Sequence, residues 1–309
     1  MHRQNSPICA VVVTFHPDAG VPDRLDILGP QVAHVIVVDN GGTPGESVLG
    51  RLSQNPHFEI LRNPRNMGVA AAWNVGVSRA MALGFELVLI LDQDSTPKPG
   101  MVDALLRTYE LHPDRERIAI LAPQFEDPIP AIRPRFVRKT RGFLFERALC
   151  EGDWLDDVSI VIGSGCVLDA SIYRTLGGFR EDFFIDYVDT DYCLRALERG
   201  YRIVVACAAK LEHRLGDRTV ERRGPLVLYP TRHSPARWYY MSRNRIYMLR
   251  LHALRSPHWL TFEIANSAFW LLRMLVAEDR RAEKAKAVLR GTWDGLCGRT
   301  GPMPGSVGD

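Results

Sequence analysis

The sequence has six cysteines but no C-x-x-C pair (Cys9, Cys150, Cys166, Cys193, Cys207 and Cys297). This scatter gives no sign of a disulfide framework. Most of the cysteines lie in apolar runs, where a thiol packs as a small hydrophobic group. We therefore expect buried free thiols in a reducing compartment.

Other signals are also absent. The formal net charge of +3 is too small for a general affinity for polyanions, and the basic clusters match no nucleic-acid-binding module, so nucleic acid is not expected as a partner. The first residues, MHRQNSPICAVVVTF, enter a short apolar strand without a cleavage site, unlike a signal peptide. No charge-free apolar run reaches the length of a spanning helix, and no internal repeat is visible. These absences predict a cytoplasmic protein.

What is present is the composition of a globular protein. The chain has 309 residues, of which 46% are apolar and 24% charged, enough to bury a large core. Apolar, strand-like runs occur at 8–15, 34–40, 58–63, 86–92 and 117–123, and helical stretches lie near 21–29, 46–53, 68–83 and 99–111. Continuous Val, Ile and Leu runs separated by helices predict a parallel sheet covered on both faces.

Polar residues follow four of the predicted strands. They are Thr14, Asp39, Asn40, Asn63, Asn66, Asp92 and Asp94. Sheets of this kind bind ligands at the carboxyl ends of their strands. The sequence therefore predicts a ligand site at this edge.

The fourth run ends in LDQDST, which puts Asp92 and Asp94 one residue apart. On an extended chain these side chains point the same way, so a cation, a basic side chain or water must offset their repulsion. One interpretation is a divalent cation bridging to a diphosphate. A second is a helix cap followed by a solvated turn. A third is the D-x-D-x-T string of haloacid-dehalogenase-like phosphatases with Asp92 as nucleophile, although that string belongs at the first strand of its fold.

The segment RNPRNMGVAAAWNVGVSRA, residues 62–80, favours the diphosphate. Asn66 and Gly68 stand just before an alanine-rich helix, whose small side chains allow a close approach and whose N-terminus favours a phosphate. Tight packing of this helix on the sheet would explain the alanines equally well. It would explain Asn66 and Asn74 poorly.

With these motifs in order, the sequence resembles the family 2 glycosyltransferases of the GT-A fold, over roughly residues 8 to 250. The matching pieces are VVVTFHP, VIVVDNGG, NMGVAAAWNVG, LDQDS, GGFREDFFIDYVDTDYCLR and LEHRLGD. Two further segments, RWYYMSRNRIYMLR and GTWDGLCGRTG, resemble bacterial rhamnosyltransferases that build O-antigen and other surface polysaccharides. The resemblance implies an α/β fold of the GT-A type, a Rossmann-like mixed sheet flanked by helices, with a C-terminal helical extension.

The resemblance also implies which residues hold the nucleotide-sugar donor. Thr14, Asp39 and Asn66 would line the pyrimidine and ribose pocket, with Asp39 accepting an N–H of the base. Gly68 and Asn74 would border the same nucleotide.

The remaining implied roles concern the reacting groups. Asp92 would contact the nucleotide or a metal-bound water, while Asp94 and His213 would ligate Mg2+ or Mn2+ on the sugar diphosphate. Asp189 would be the general base that takes the proton of the acceptor. Arg243 would hold the donor phosphates or the acceptor, unless it only forms part of a solvated helix face.

Two neighbours of Asp189 have simpler explanations. Asp186 and Asp191 stand around the start of a helix, where acids are stabilising whatever the protein does. Val188 departs from the glutamate that many relatives have, which leaves the base without a second acidic partner.

We expect residues 1–235 to form the GT-A domain, with a nucleotide-binding half at 1–125 and an acceptor half at 126–235, and residues 236–309 to form the helical extension. The apolar stretch 257–277, interrupted by Glu263 and Arg273, is typical of a core or of a homodimer interface. Together with the basic segment 133–147 it would also suit peripheral attachment to the anionic inner face of the cytoplasmic membrane.

The predicted function is a metal-dependent, inverting transfer of L-rhamnose from dTDP-β-L-rhamnose to a lipid-linked glycan in cell-surface polysaccharide biosynthesis. Transfer from another nucleotide sugar, the phosphatase, and a non-catalytic nucleotide-sugar-binding protein are the alternatives.

Overall fold

The computed structural model describes residues 7–41, 46–52, 55–126, 134–140, 142–213, 221–223, 226–228 and 232–305. Its strands are β1 (Ile8–Thr14), β2 (His34–Asp39), β3 (Phe58–Arg62), β4 (Leu87–Asp92), β5 (Thr96–Pro97), β6 (Ile118–Glu126), β7 (Phe136–Lys139), β8 (Phe145–Ala148), β9 (Trp154–Leu155), β10 (Val158–Ile160), β11 (Val167–Asp169), β12 (Arg202–Glu212), β13 (Glu221–Arg223) and β14 (Leu226–Leu228). Its helices are α1 (Val21–Leu28), α2 (Glu46–Leu52), α3 (Val69–Ala82), α4 (Met101–Leu111), α5 (Ala170–Leu176), α6 (Val188–Glu198), α7 (Pro235–His252), α8 (Pro257–Ala277) and α9 (Arg281–Leu296).

The main sheet is mixed. Its order is β3-β2-β1-β4-β11-β6-β12-β5, with β9 also paired to β12. Strands β1 to β4 are parallel, as predicted for the first half of the chain. Strand β11 runs antiparallel between β4 and β6, so the sheet is mixed, as the resemblance implies, although the apolar runs alone indicate a parallel sheet. Strand β11 has only three residues and follows a glycine-containing turn, too short a run to be recognised as a strand.

Helices cover both faces of this sheet, as its apolar strands require. Alternate residues of β1 enter two separate clusters: Val11 packs with α3, and Val12 packs with α1 and α4. Helix α3 lies very close to the sheet, because a Cβ on Gly76 would come within 2.1 Å of the Val11 Cγ1 atom. The small residues of α3 therefore serve helix-to-sheet packing.

A second sheet, β10-β7-β8, and the helices α7 to α9 complete the described part of the chain. Helix α7 begins at the predicted boundary and packs closely on α9, where a Cβ on Gly291 would lie 2.3 Å from the Tyr239 carbonyl oxygen. The division into a GT-A domain and an extension remains a prediction.

The cysteine prediction needs a correction. Cys150 and Cys207 form a disulfide, with Cα atoms 5.3 Å apart across 57 residues of sequence. Cys9, Cys166 and Cys193 are buried free thiols as expected, and Cys297 is exposed. Sequence spacing could not reveal the pair, because β12 brings Cys207 to the segment after β8 only in the folded chain.

Candidate active site

The site begins where β1 and β4 end side by side, and Gln93 joins the two ends. Its Nε2 donates to the Phe15 carbonyl and its Oε1 accepts from the Phe15 N–H, both at 2.9 Å. The Arg24 Nε donates to the Gln93 carbonyl at 2.6 Å. The residue between the two aspartates therefore fixes the backbone that carries them, a role that no sequence pattern predicts.

Asp92 lies among charges of its own sign. Burial, followed by the negative charges of Asp94 and Asp189, raises the pKa of Asp92 to about 7, and only the charge of Arg237 opposes this rise. The D-x-D pair and Asp189, nearly a hundred residues apart in the chain, thus share one electrostatic environment. A cluster of this kind favours binding of a cation.

Asp189 is held by the backbone on both of its oxygens. Its Oδ2 accepts from the Gly163 N–H at 3.1 Å and its Oδ1 from the Thr190 N–H at 2.7 Å. Burial raises its pKa, and these hydrogen bonds reduce the rise. Gly163 also packs tightly on Trp73, since a Cβ there would lie 2.6 Å from the Trp73 ring and 3.4 Å from the Asp189 Cβ. The carboxylate is thus fixed in orientation and basic enough to accept a proton.

Arg237 is the functional candidate that the sequence did not single out. Its Nε donates to Asp186 Oδ1 at 3.1 Å. The charge of Asp186 is the main cause that raises the pKa of Arg237, with smaller contributions from Asp92 and Asp94. Its guanidinium therefore lies beside the acid cluster. In the sequence, Arg237 is the first residue of the segment RWYYMSRNRIYMLR, which carries the resemblance to rhamnosyltransferases.

The structure corrects the role of Arg243. This side chain is fully buried and donates to the carbonyls of Gly301, Phe183 and Asp182. The neighbouring Asn244 Nδ2 donates to the carbonyls at 183, 185 and 186, at 2.8 to 3.0 Å. Arg243 therefore contacts protein groups rather than the donor phosphates, and with Asn244 it holds the loop that leads to Asp189.

Asp94 and His213, the predicted metal ligands, lie close to each other. The His213 Nδ1 is 3.9 Å from Asp94 Oδ1 and 2.7 Å from the Ser95 hydroxyl. Among the described residues no group of three or more His, Cys, Asp or Glu side chains is arranged to hold a metal alone. One carboxylate with one imidazole fits a cation that takes its other ligands from substrate phosphates and water, as Mg2+ commonly does.

The predicted base and ribose pocket lies at the ends of β1 and β2, where Thr14 pairs in register with Asp39. Thr14 Oγ1 and Asp39 Oδ1 are buried and accept or donate no hydrogen bond within the described part of the chain. Buried polar atoms normally have partners. These two are therefore suited to a polar ligand.

Asn66 belongs to an amide network. Its Oδ1 accepts from the Asn40 Nδ2 at 3.1 Å and from the Gly68 N–H at 3.0 Å. The Asn40 Oδ1 accepts in turn from Asn63 Nδ2 and from the Met67 N–H. The network shapes the loop between β3 and α3, so this oxygen of Asn66 has a structural role.

Gly68 permits a close approach, but of protein rather than of ligand. Its φ is 84°, and a Cβ there would lie 2.5 Å from the Phe184 carbonyl oxygen. The same carbonyl accepts from the Val69 N–H at 2.8 Å. The loop before α6 therefore occupies the start of α3, and the expectation of a phosphate on these N–H groups needs correction.

Replacing Gly68 by alanine should destabilise the protein by about 1 to 3 kcal/mol through the positive φ and the contact with Phe184 together. Gly84 is the matched control, since its φ is 89° but nothing lies within 4 Å of its Cβ position. Urea unfolding of both variants separates the cost of the positive φ, which both share, from the cost of the contact with Phe184, which only Gly68→Ala has. Equal losses for Gly68→Ala and Gly84→Ala would contradict the proposed contact.

Asn74 also has a structural role. Its Nδ2 donates to the Phe179 carbonyl and to Glu181 Oε1, and its Oδ1 accepts from the Phe179 N–H, all at 2.9 Å, as well as from the Tyr173 hydroxyl. These four bonds occupy both N–H donors and both lone pairs of the amide oxygen. The amide of Asn74 therefore joins α3 to the segment 179–181, and a contact with the nucleotide stays a prediction.

The fold and the acid cluster at the sheet edge define a glycosyltransferase of the GT-A class. Residues 11–177 match the family model described as "Glycosyl transferase family 2", and the chain belongs to this family. The family assignment removes the phosphatase alternative, in agreement with the position of the D-x-D string on β4.

Among known proteins, the chain is 29% identical to the dTDP-rhamnosyl transferase RfbF of Shigella flexneri over 96% of this chain and 98% of that protein. It is 24% identical to the galactofuranosyltransferase GlfT1 of Mycobacterium tuberculosis, over 82% of this chain and 87% of that protein.

Solved structures agree on the fold. The crystal structure of residues 1–349 of S. aureus TarS matches with a TM-score of 0.53 and 14% identity, covering 94% of this chain and 72% of that one. GalNAc-T7, solved with UDP, GalNAc and Mn2+, matches with a TM-score of 0.54 and 12% identity, covering 76% and 47%.

Proposed function

We propose that this protein is a metal-dependent, inverting rhamnosyltransferase that uses dTDP-β-L-rhamnose and forms an α-linkage to a lipid-linked glycan of a surface polysaccharide. The similarity to the Shigella flexneri dTDP-rhamnosyl transferase along nearly the whole of both chains supports the sugar and its nucleotide. The observation that carries the chemistry is the shared environment of Asp189 and the D-x-D pair.

Asp189 would act as the general base. Inverting transfer is one in-line displacement, so the acceptor hydroxyl loses its proton on the face opposite the departing diphosphate. The N–H groups of Gly163 and Thr190 fix the carboxylate without neutralising it. Because burial raises its pKa, Asp189 holds the proton more firmly than an exposed aspartate would.

The D-x-D side of the cluster would receive the diphosphate. Asp94 and His213 would hold the Mg2+ or Mn2+, which neutralises the charge that develops on the leaving group. Arg237, now paired with Asp186, supplies a second positive charge beside Asp92. Thr14 and Asp39 would take the polar edge of the thymine and the ribose with their unpaired oxygens.

The acceptor side would lie at the loop 183–189, which Arg243 and Asn244 hold by donating to its carbonyl groups. We place the enzyme in the cytoplasm, at the inner membrane face where a lipid-linked glycan is presented. Transfer from another nucleotide sugar is tested by the same release assay with that donor. Dimerisation is tested by the size of the protein in solution. A non-catalytic binding protein would bind dTDP without turnover, so release of dTDP in the presence of an acceptor distinguishes the two.

Binding of dTDP with Mn2+ should raise the melting temperature of the protein. Ligand at about 100 times its dissociation constant stabilises the folded state by about 2.7 kcal/mol. We expect Asp94→Asn to lose the part of the shift that depends on Mn2+ and to keep the part due to dTDP alone. Asp23→Asn, at an exposed acid on α1, is the control and should behave as wild type. A shift that is independent of metal in wild type would contradict the metal site.

A further inference from the structure

The outward face of α8 is apolar along three turns. Between residues 264 and 276 every exposed side chain is apolar, and they recur every three or four residues (Ile264, Ala265, Ala268, Phe269, Leu272, Leu275 and Val276). Phe269 and Leu272 are 59% and 63% exposed. Soluble monomers rarely leave so continuous an apolar stripe open to water.

A hairpin tip extends this stripe. Phe143 and Leu144, between β7 and β8, are 67% and 68% exposed. The Thr261 hydroxyl of α8 donates to the Phe143 carbonyl at 2.6 Å, and the rings of Phe145 and Phe262 are in contact at 5.3 Å. The tip and the helix face are therefore neighbours. We call them together the α8 surface.

The helix lies along the protein and does not leave it. By length and composition α8, with 21 residues, could cross a membrane; an 18-residue stretch of it has a mean hydropathy of 1.3, and 17% of that stretch is buried. Its inner side, however, carries the buried Glu263, which accepts from the Tyr187 hydroxyl, from Arg245 Nε at 2.9 Å and from Ser267 Oγ at 2.7 Å. An ion pair of this kind fixes the helix to the body of the chain, so its apolar side can meet a membrane only in the plane of the interface.

Positive charge accompanies the apolar surface. The described residues of the hairpin, 134–140 and 142–148, carry four basic side chains against one acid, Glu146, which pairs with Arg138. This leaves Arg135, Lys139 and Arg147 exposed without an acid of the hairpin beside them. The charge of Lys139 contributes to lowering the pKa of His258 at the start of α8, after burial, which places it near the helix.

We propose that the α8 surface binds the headgroup and upper acyl region of a bilayer that contains anionic lipids. The apolar side chains match the upper acyl region, and the flanking cations match the anionic headgroups. A second copy of the chain is a poorer match, because it would bring the same basic hairpin to the same stripe. The proposal rests on the proposed function only in that a lipid-linked acceptor would be found there.

The surface is also connected to the catalytic side of the molecule. Tyr187, which donates to Glu263 of α8, directly precedes α6 and lies two residues before Asp189. Docking of α8 would therefore set the position of the base relative to the membrane plane, where the acceptor hydroxyl would approach.

Vesicle sedimentation of the full chain tests the proposal. We expect binding to vesicles of equal parts phosphatidylcholine and phosphatidylglycerol to exceed binding to phosphatidylcholine alone by about tenfold or more, and to weaken in salt. The double variant Phe269→Glu with Leu272→Glu, and separately Lys139→Glu, should each bind about tenfold less. The control is Leu289→Glu on α9, a residue 71% exposed outside the surface, which should bind as wild type.

Three results would overturn the proposal: no binding of wild type to the anionic vesicles, equal binding by the α8 variant, or an equal loss in Leu289→Glu. A wild-type dimer that the α8 variant converts to monomer, without vesicle binding by either, would assign the surface to a second copy instead. Melting temperatures with and without dTDP check that each variant is folded and binds nucleotide. Failure of vesicle binding is thus distinguished from failure of the proposed transferase function, since that function is read from dTDP release with a soluble acceptor.

Discussion

Replacing Asp189 by asparagine should lower the rate of sugar transfer by about 10² to 10⁴ fold, the usual effect of removing a general base. The single amide oxygen of asparagine can accept from only one of the N–H groups of Gly163 and Thr190, and its NH2 group then faces the other, so the melting temperature of the variant is measured beside its rate. An amide cannot take the proton of the acceptor hydroxyl. The measurement is dTDP release from dTDP-β-L-rhamnose with Mg2+ and a glycan acceptor.

The control for this substitution is Asp182→Asn, which removes the same charge from an exposed side chain seven residues earlier. We expect it to transfer sugar at the wild-type rate. The Asp189→Asn variant should keep the melting-temperature rise with dTDP, because only the acceptor side is changed. A wild-type rate for Asp189→Asn would assign the base to another residue.

Replacing Asp191 by asparagine should destabilise the fold by about 3 to 5 kcal/mol, because it breaks a buried charge network. Asp191 is fully buried and contacts Arg195 Nε at 2.7 Å, Arg180 Nε at 3.0 Å and His252 Nε2 at 3.0 Å. Without the carboxylate, Arg195 and His252, whose side chains are 13% and 2% exposed, lose this negative charge inside the fold. The measurement is the free energy of unfolding in urea or guanidinium.

Asp114→Asn is the matched control, because it also removes an arginine partner, at 2.8 Å from Arg202, but in an ion pair whose side chains are 42% and 31% exposed. Such a pair contributes about 1 kcal/mol or less. Similar losses in both variants would mean that burial does not strengthen the Asp191 network.

The contribution of Asp191 to the free energy of unfolding should also depend on pH in a defined direction. Burial alone would raise its pKa, but the hydrogen bond from His252 and the charges of Arg195 and Arg180 outweigh burial and lower it. A carboxyl whose folded pKa is lowered stabilises the protein above its unfolded value, near 3.8, and loses that contribution as the pH falls further. The difference in stability between wild type and Asp191→Asn should therefore narrow under acid conditions. Burial lowers the pKa of His252, but the hydrogen bonds and charges of Asp191 and Glu198 outweigh burial and raise it, so the difference should also narrow as the pH rises through that pKa. A constant difference below the unfolded pKa of Asp191 would contradict the assignment.

The first half of the fold was predictable because hydrophobic periodicity reports on each strand and helix locally. The five apolar runs became β1, β2, β3, β4 and β6, and the helical stretches became α1 to α4. Strand β11 was not predictable, since three residues carry almost no periodic signal. The disulfide likewise depends on a contact across 57 residues.

The site residues likewise divide into those that a local pattern predicts and those whose role depends on contacts distant in sequence. That Asp92 and Asp94 lie at a strand end follows from the local pattern, and the resemblance to a family placed Asp189 opposite them. Asn74 and Arg243 were assigned to the donor because polar residues near a binding edge resemble ligand contacts. Asn74 and Arg243 form hydrogen bonds to residues 105 and 60 positions away, contacts that the sequence cannot display, and these bonds give them structural roles.

The reversed direction of β11 bears on the spacing between Asp92 and Asp189. Because it runs against its neighbours, its beginning and not its end reaches the ligand edge, and the turn before it arrives there too. Within that turn Ser164 accepts from the Asp92 N–H at 2.9 Å, and the adjacent Gly163 donates to Asp189. Two successive residues thus hold the backbone of Asp92 and the carboxylate of Asp189, so this short turn would fix the distance between the proposed leaving-group side and the proposed base.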